Sequence, residues 1–339
     1  HRTASGQQYK AEPASFMGIT EKEKEMRLEL RNIHKSFDGK EVLKGINFSV
    51  QSGRALGLLG RNGAGKTTTI RIIMDIFHAN EGQILLNGQK FEPSKNQVGY
   101  LPEERGMYPK KTVMEQMIYF ARLRGLDKNK AAANAAKWLE RLQVSEYAKR
   151  KMDTLSKGNQ QKVQLAATLV SDPDIIILDE PFSGLDPVNS QILKEVIREL
   201  IADNRIVIFS SHQMSYVEEF CEDISIVNKG EIVLDGNLDE IKADYGRGRK
   251  ILAAVNMSLT ELEQCCQDKL SDLLEVEGRT RHNIIFRLKE QTDSWQILDR
   301  IRTEQIEIDH YGSYEPSLND IFVSCVGDNV TEEGRREQG

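Results

Sequence analysis

One nonapeptide constrains this chain more than any other stretch: Gly60-Arg61-Asn62-Gly63-Ala64-Gly65-Lys66-Thr67-Thr68, a glycine and four residues followed by Gly-Lys-Thr. The apolar run Ala55–Leu59 precedes it and suits a buried strand. Thr67 to Met74 follows and can open a helix. Strand, glycine-rich turn and helix start are the context this motif needs. Glycines let the backbone wrap an anion so that several N–H groups converge on it, and the helix N-terminus adds partial positive charge. The stretch therefore predicts a phosphate-binding loop, with Lys66 bridging the β- and γ-phosphates and the Thr67 hydroxyl on Mg²⁺.

The bulk properties narrow the class. The chain has 339 residues, room for a large domain and a smaller one. A net charge of -6 argues against a nucleic-acid binder driven by a basic surface, and no nucleic-acid partner is expected. No apolar run approaches the roughly 18 residues needed to span a bilayer, and the polar start of the sequence shows no signal peptide. Cys221, Cys265, Cys266 and Cys325 have no metal-ligand spacing, and the vicinal pair suits a reducing compartment. A cytoplasmic protein is expected, reaching a membrane only by docking on another protein.

Patterning then gives the order of elements. Residues 1–27 are expected to be a disordered or appended tail. Leu28 to Val50 reads as two strands around the Phe37-Asp38-Gly39-Lys40 turn. Gly82–Leu86 with Asn87-Gly88 reads as a hairpin piece, and Val98–Pro102 as a short strand. Residues 104–168 read as a helical insert: Thr112–Glu115 is a capping box, and Ala135, Trp138, Leu139 and Leu142 share one face of a second helix. The runs at Ile175–Leu178, Ile206–Phe209, Ile224–Val227 and Glu231–Leu234 suggest parallel strands covered on both faces. Beyond the linker-like Gly246–Arg249, the order β-α-β-β-α-β is ferredoxin-like and a helix at Ser317–Cys325 closes that fold. The domains expected are an α/β nucleotide-binding domain over 28–238, an accessory α+β domain over 239–325 and a polar tail over 326–339.

Three further sites carry chemistry. The apolar strand ending in Asp179 aims a carboxylate at Mg²⁺, and Glu180, one residue on, can polarise the attacking water as general base. Without the phosphate loop this pair would read as an acidic turn after a core strand. His212 follows a strand at its carboxyl end, where open α/β sheets bind ligands; it either reaches the γ-phosphate or is a surface histidine. In Leu155–Val163, Ser156 caps a helix whose N-terminus is a second anion site, accessible at Gly158. A helical insert carries that site away from the phosphates of its own chain, but a second copy could present it. Phe37, upstream of the loop, either stacks on adenine or packs in the core.

Together these residues resemble the ATP-binding cassette (ABC) ATPases over about Leu28–Gly236. Gly60–Thr68 matches the Walker A loop, Ile175–Glu180 the Walker B strand, Leu155–Gln160 the signature loop, Ser183-Gly184-Leu185-Asp186 the D-loop and His212 the switch histidine. Phe37 falls at the position of the family's adenine-stacking aromatic. The resemblance implies a P-loop ABC core with a helical subdomain, ATP and Mg²⁺ as ligands, and a head-to-tail homodimer. Each ATP would be sandwiched between one Walker A loop and the other chain's Ser156, Lys157, Gly158 and Asn159, with Asp186 alongside. Two positions depart from the usual pattern. Lys157 and Asn159 replace a Gly and a Gln in the signature, and Glu103 stands where the coupling loop usually has Gln. Lys157 either adds positive charge near the γ-phosphate or is solvated. Glu103 can still ligate Mg²⁺ but repels phosphate. The stretches Leu-Pro-Glu-Glu-Arg-Gly and Leu-Ser-Lys-Gly-Asn-Gln-Gln-Lys resemble the bacterial branch that drives sodium or drug exporters. Members often carry a C-terminal domain ending like Glu315–Phe322. An integral membrane permease is the implied partner, and the cytoplasmic face of the membrane the implied location. The alternative is a non-transport ABC ATPase acting on ribosomes or nucleic acid.

Overall fold

The computed structural model describes residues 25–104 and 106–327. The tail expected over 1–27 falls outside these except for its last three residues, as do Arg105 and 328–339 of the C-terminal tail. Strands β1 (Arg27–Phe37) and β2 (Lys40–Gln51) form an antiparallel hairpin. Its turn residues Asp38 and Gly39 both take positive φ, 48° and 79°, as a two-residue primed turn requires. The apolar partners Leu28, Leu30, Ile46 and Phe48 are buried from this sheet. Strand β3 (Ala55–Leu59) leads into α1 (Lys66–Ile73), after which β4 (Glu81–Leu86) pairs with β1 and β5 (Gln89–Lys90) completes the sheet order β2-β1-β4-β5.

The second sheet holds the centre of the molecule. Strand β6 (Val98–Leu101) enters its edge, and the helical stretch α2 (Val113–Leu123), α3 (Lys128–Arg141) and α4 (Lys157–Leu169) follows. The Thr112–Glu115 capping box is formed, with Glu115 N–H on Thr112 Oγ1 at 3.3 Å and Thr112 N–H on Glu115 Oε2 at 3.1 Å. Val113, Met117, Ala135, Trp138 and Leu139 bury the shared face. The chain returns through β7 (Ile175–Asp179), α5 (Pro187–Ala202), β8 (Ile206–Ser210), α6 (Met214–Phe220), β9 (Asp223–Asn228) and β10 (Glu231–Asn237). The strand order is β10-β9-β3-β8-β7-β6. Strands β3, β7 and β8 are buried at every residue, as expected for parallel strands covered on both faces. Strand β10 differs from the sequence expectation: it runs antiparallel to β9, and Val233 is exposed. The reason is the connection. Lys229 and Gly230 take φ of 49° and 85°, a tight hairpin turn that leaves no chain for a crossover.

Helix α7 (Leu238–Gly246) then leads to β11 (Arg249–Ala254), α8 (Leu259–Lys269), β12 (Leu274–Arg279), β13 (Ile284–Leu288), α9 (Ser294–Thr303) and β14 (Ile308–Ser313). The antiparallel order β12-β13-β11-β14 is the ferredoxin-like one, and Leu252, Leu262, Ile284, Phe286 and Ile297 form its own core. The last helix, α10 (Leu318–Gly327), does not close this fold as expected. Its Leu318, Ile321 and Val326 are buried in the core of the nucleotide domain, together with Leu238 and Ile241 of α7. The apolar face of α10 packs on α6 and α7, a choice that local pattern does not encode.

Candidate functional site

The glycine-rich loop leaves β3 at Leu59 and enters α1 at Lys66. A Cβ on Gly60 would lie 2.4 Å from the Val227 carbonyl oxygen, and one on Gly65 (φ 120°) 2.6 Å from Leu43 Cδ2. Only glycine fits either place, so the loop is pressed against β9 and β2 with its backbone turned to the cleft. Arg61, Asn62 and Gly63 form the exposed rim, while Ala64, Gly65 and Lys66 are buried. Ala64 does not line the cleft: its side chain packs in the core below, its N–H donates to Arg61 O at 3.1 Å and its carbonyl accepts from Gly230 N–H at 2.9 Å. Lys66 Nζ donates to Gly60 O at 2.6 Å and Arg61 O at 3.3 Å. Burial lowers the Lys66 pKa, and the carboxylates of Glu180, Asp179 and Glu103 hold it up in part.

A cleft of about 680 Å³ opens over this loop. Its walls include Lys66, Thr67, Thr68, Glu103, Asp179, Glu180 and His212. Asp179 ends β7 and is 2% exposed. Burial, helped by the nearby Glu103 and Glu180 carboxylates, pushes its carboxyl up to about 6 against the pull of Lys66. Glu180 leaves the strand at φ 49°. That kink turns its side chain along β8, where Oε1 accepts from His212 N–H at 2.7 Å and lies 2.7 Å from His212 Nδ1, while Oε2 accepts from Ser211 Oγ at 3.1 Å. With its proton on Nδ1 the ring donates to the carboxylate, which leaves Nε2 as its other polar atom. A carboxylate fixed this way can take a proton from water without first being reoriented.

The other sequence-predicted residues lie elsewhere. Ser156 caps α4, accepting from Asn159 N–H at 3.3 Å, and none of Ser156, Lys157, Gly158 and Asn159 lines the cleft. Gly158 is buried against Leu185 and the first turn of α5, where a Cβ would meet Asn189 Nδ2 at 3.1 Å. Asp186 caps α5 through Asn189 N–H (2.9 Å) and Nδ2 (2.6 Å). A Cβ on Gly158 would also lie 3.5 Å from Leu185 Cδ2, so the signature and D-loop stretches of one chain lie side by side. Phe37 is 38% exposed at the end of β1, edge-on to Phe77 at 5.2 Å and flanked by Lys35 Nζ at 5.0 Å. Three cleft residues carry no signal of their role in the sequence: Val42, Met214 and Phe322. Each is an apolar residue whose position depends on long-range packing; for Phe322 the only local hint is its place in the Glu315–Phe322 stretch.

A backbone cradle that excludes Cβ atoms, a buried lysine and the hydroxyl and carboxylates of Thr67, Asp179 and Glu103 are a donor set that fits a nucleotide triphosphate with Mg²⁺. Fold and cleft together define a phosphate-loop ATPase. The ABC transporter family matches residues 43–183, and the C-terminal domain of DrrA1-3-like ATP-binding proteins matches residues 236–326. The uncharacterised ABC transporter ATP-binding protein YhaQ of Bacillus subtilis (strain 168) is 37% identical over 306 residues, 88% of this chain and 98% of the relative. The linearmycin resistance ATP-binding protein LnrL of the same organism is 28% identical, again over 88% and 98%. The solved structure of an ATP-binding subunit of an ABC transporter aligns with TM-score 0.61 and 29% identity, over 70% of this chain and 98% of that one. The chain belongs to the ATP-binding proteins of ABC transporters and hydrolyses ATP with Mg²⁺.

Proposed function

We propose that this chain is the ATPase subunit of an exporter, working as a head-to-tail homodimer on the cytoplasmic face of the membrane beneath a separate permease. One observation carries the reading: a complete Glu180–His212 pair faces the phosphate loop, while Ser156–Asn159, the second anion site, lies outside that cleft. Two chains then make two whole sites, each with a phosphate loop from one copy and a signature from the other. Backbone N–H groups of Gly60–Thr68 and the Lys66 ammonium hold the phosphates. Thr67, Asp179 and Glu103 hold Mg²⁺, which when bound would neutralise charge on the phosphate oxygens. Glu180 accepts the proton of the attacking water and His212 keeps that carboxylate oriented. Phe37 offers its exposed ring to adenine, and Lys157 and Asp186 face the partner's site.

A hollow beside the nucleotide cleft supports docking of the permease. A second cleft of about 390 Å³ lies between the central sheet and the helical stretch, lined by Leu101, Pro102, Met107, Phe120 and Leu123. Glu103 borders the nucleotide cleft while Pro102 and Met107 border this one, so neighbouring residues line the two. Among the described residues no helix is long and apolar enough to cross a membrane. The resistance role in the LnrL relative's name supports a drug as the exported substrate; sodium ions rest on the resemblance of residues 101–106 and 155–162 alone, and selectivity belongs to the permease. The expected result is that ATP turnover per chain rises with protein concentration until the dimer saturates. Turnover independent of concentration in a demonstrably monomeric sample refutes the shared site.

A further inference from the structure

The helix that ends the described chain returns to the nucleotide cleft. Helix α10 is capped at its start: Ser317 Oγ accepts from Asp320 N–H at 3.2 Å and Asp320 Oδ2 accepts from Ser317 N–H at 3.0 Å. Its Leu318 N–H donates to Glu218 Oε1 of α6 at 2.8 Å, and Lys242 Nζ of α7 reaches the same oxygen at 2.6 Å. One turn on, Phe322 lines the cleft alongside Met214 and His212. Met214 is the first residue of α6, and His212 precedes it by two.

Helix α6 is poorly placed to fix its own orientation. It has seven residues and its N-cap, Gln213, makes no side-chain capping bond. A helix this short is marginal unless neighbours pack on it. Its inner face, Val217 and Phe220, is set by the core. One flank is tied to α5, where Lys194 and Arg198 both pair with Glu219. Another is held by α10 and by the two bonds on the Glu218 carboxylate. The backbone that presents His212 to Glu180 is therefore anchored by β8 on one side and on the other by a helix that α5 and the C-terminal part of the chain grip together.

We propose that α10 fixes the position of His212 through α6, with Phe322 and Glu218 as positioning residues for hydrolysis. This rests on the reading that Glu180 and His212 carry out the chemistry. It gives the accessory sheet, joined to this grip through α7 and α10, a direct hold on turnover. A displacement of about 1 Å in a catalytic group can cost on the order of 10²-fold in rate.

Steady-state ATPase of the full chain tests it. Phe322→Ala is expected to lower kcat about tenfold or more with KM for ATP held within about twofold, and Phe322→Leu to recover most of the loss. Glu218→Ala, which removes the acceptor of both bonds at a partly exposed position, should lower kcat in the same direction and serves if Phe322→Ala does not fold. In a His212→Ala background neither change should reduce the residual rate further, which a general loss of stability would not reproduce. The proposal is overturned if KM rises while kcat holds, if kcat is unchanged in both variants, or if the same fold-loss persists without His212. A separate outcome strikes the underlying reading instead: Glu180→Gln hydrolysing ATP at the wild-type rate.

Discussion

At the scale of single residues, the site depends on how a buried carboxylate is kept from wandering. Glu180 has both oxygens engaged, by His212 and Ser211, and its positive φ commits the backbone to that geometry. Replacing the acid by its amide keeps the shape and removes the base. Glu180→Gln should therefore retain ATP binding, measured with a fluorescent nucleotide, while steady-state hydrolysis falls by about 10²–10⁴-fold, the usual worth of general base catalysis. Retained hydrolysis would assign the base elsewhere. The Asp179–Glu180 pair is legible in the sequence because strand, carboxylates and turn are contiguous. The ring contact to His212 is not, because it joins residues 32 apart.

At the scale of elements, the accessory sheet shows how surface charge joins strands. Glu277 on β12 accepts from Arg249 Nε of β11 at 2.6 Å and from Arg287 Nε of β13 at 2.7 Å. Burial works against ionisation of Glu277, but the two guanidinium groups outweigh it and hold the carboxyl below its usual range. A depressed carboxyl stabilises the fold above its ordinary pKa and loses that contribution as pH falls through the folded value. Because the pairs are partly exposed, Glu277→Gln should cost only about 1 kcal/mol at pH 7. The difference from wild type, followed by thermal unfolding, should close as pH drops below about 4.5. A difference that grows in acid would contradict the ion-pair account. Helices with local signals, such as α2 behind its capping box, are legible from residue order alone. The direction of β10 and the destination of α10 are not, because hairpin geometry and the partner face of an apolar stripe are settled by packing.

At the scale of the whole molecule, one chain keeps Ser156–Asn159 out of the cleft over its own phosphate loop, and Gly158 is packed against Leu185 and Asn189 rather than against that loop. Complementation follows from that separation. A Lys66→Ala chain and a Gly158→Asp chain should each be inactive alone. Mixed in equal amounts and allowed to exchange, they should recover about a quarter of wild-type turnover, because half of the dimers are mixed and each mixed dimer has one intact site of two. No recovery, in a sample shown to exchange subunits, would argue that each chain's site is complete by itself.

The sequence alone determined the chemistry at the phosphate end. The Gly60–Thr68 loop, Asp179 and Glu180 are each dictated by short-range rules: glycine's backbone freedom, the attraction of a helix N-terminus for anions, and a strand that delivers its last side chains to the sheet's edge. Tertiary structure alone decided what surrounds that chemistry. Val42, Met214 and Phe322 reach the cleft from a hairpin, a short helix and the final helix of the described chain. Apolar burial is non-directional, so a sequence specifies that such faces must be covered but leaves the partner to the fold.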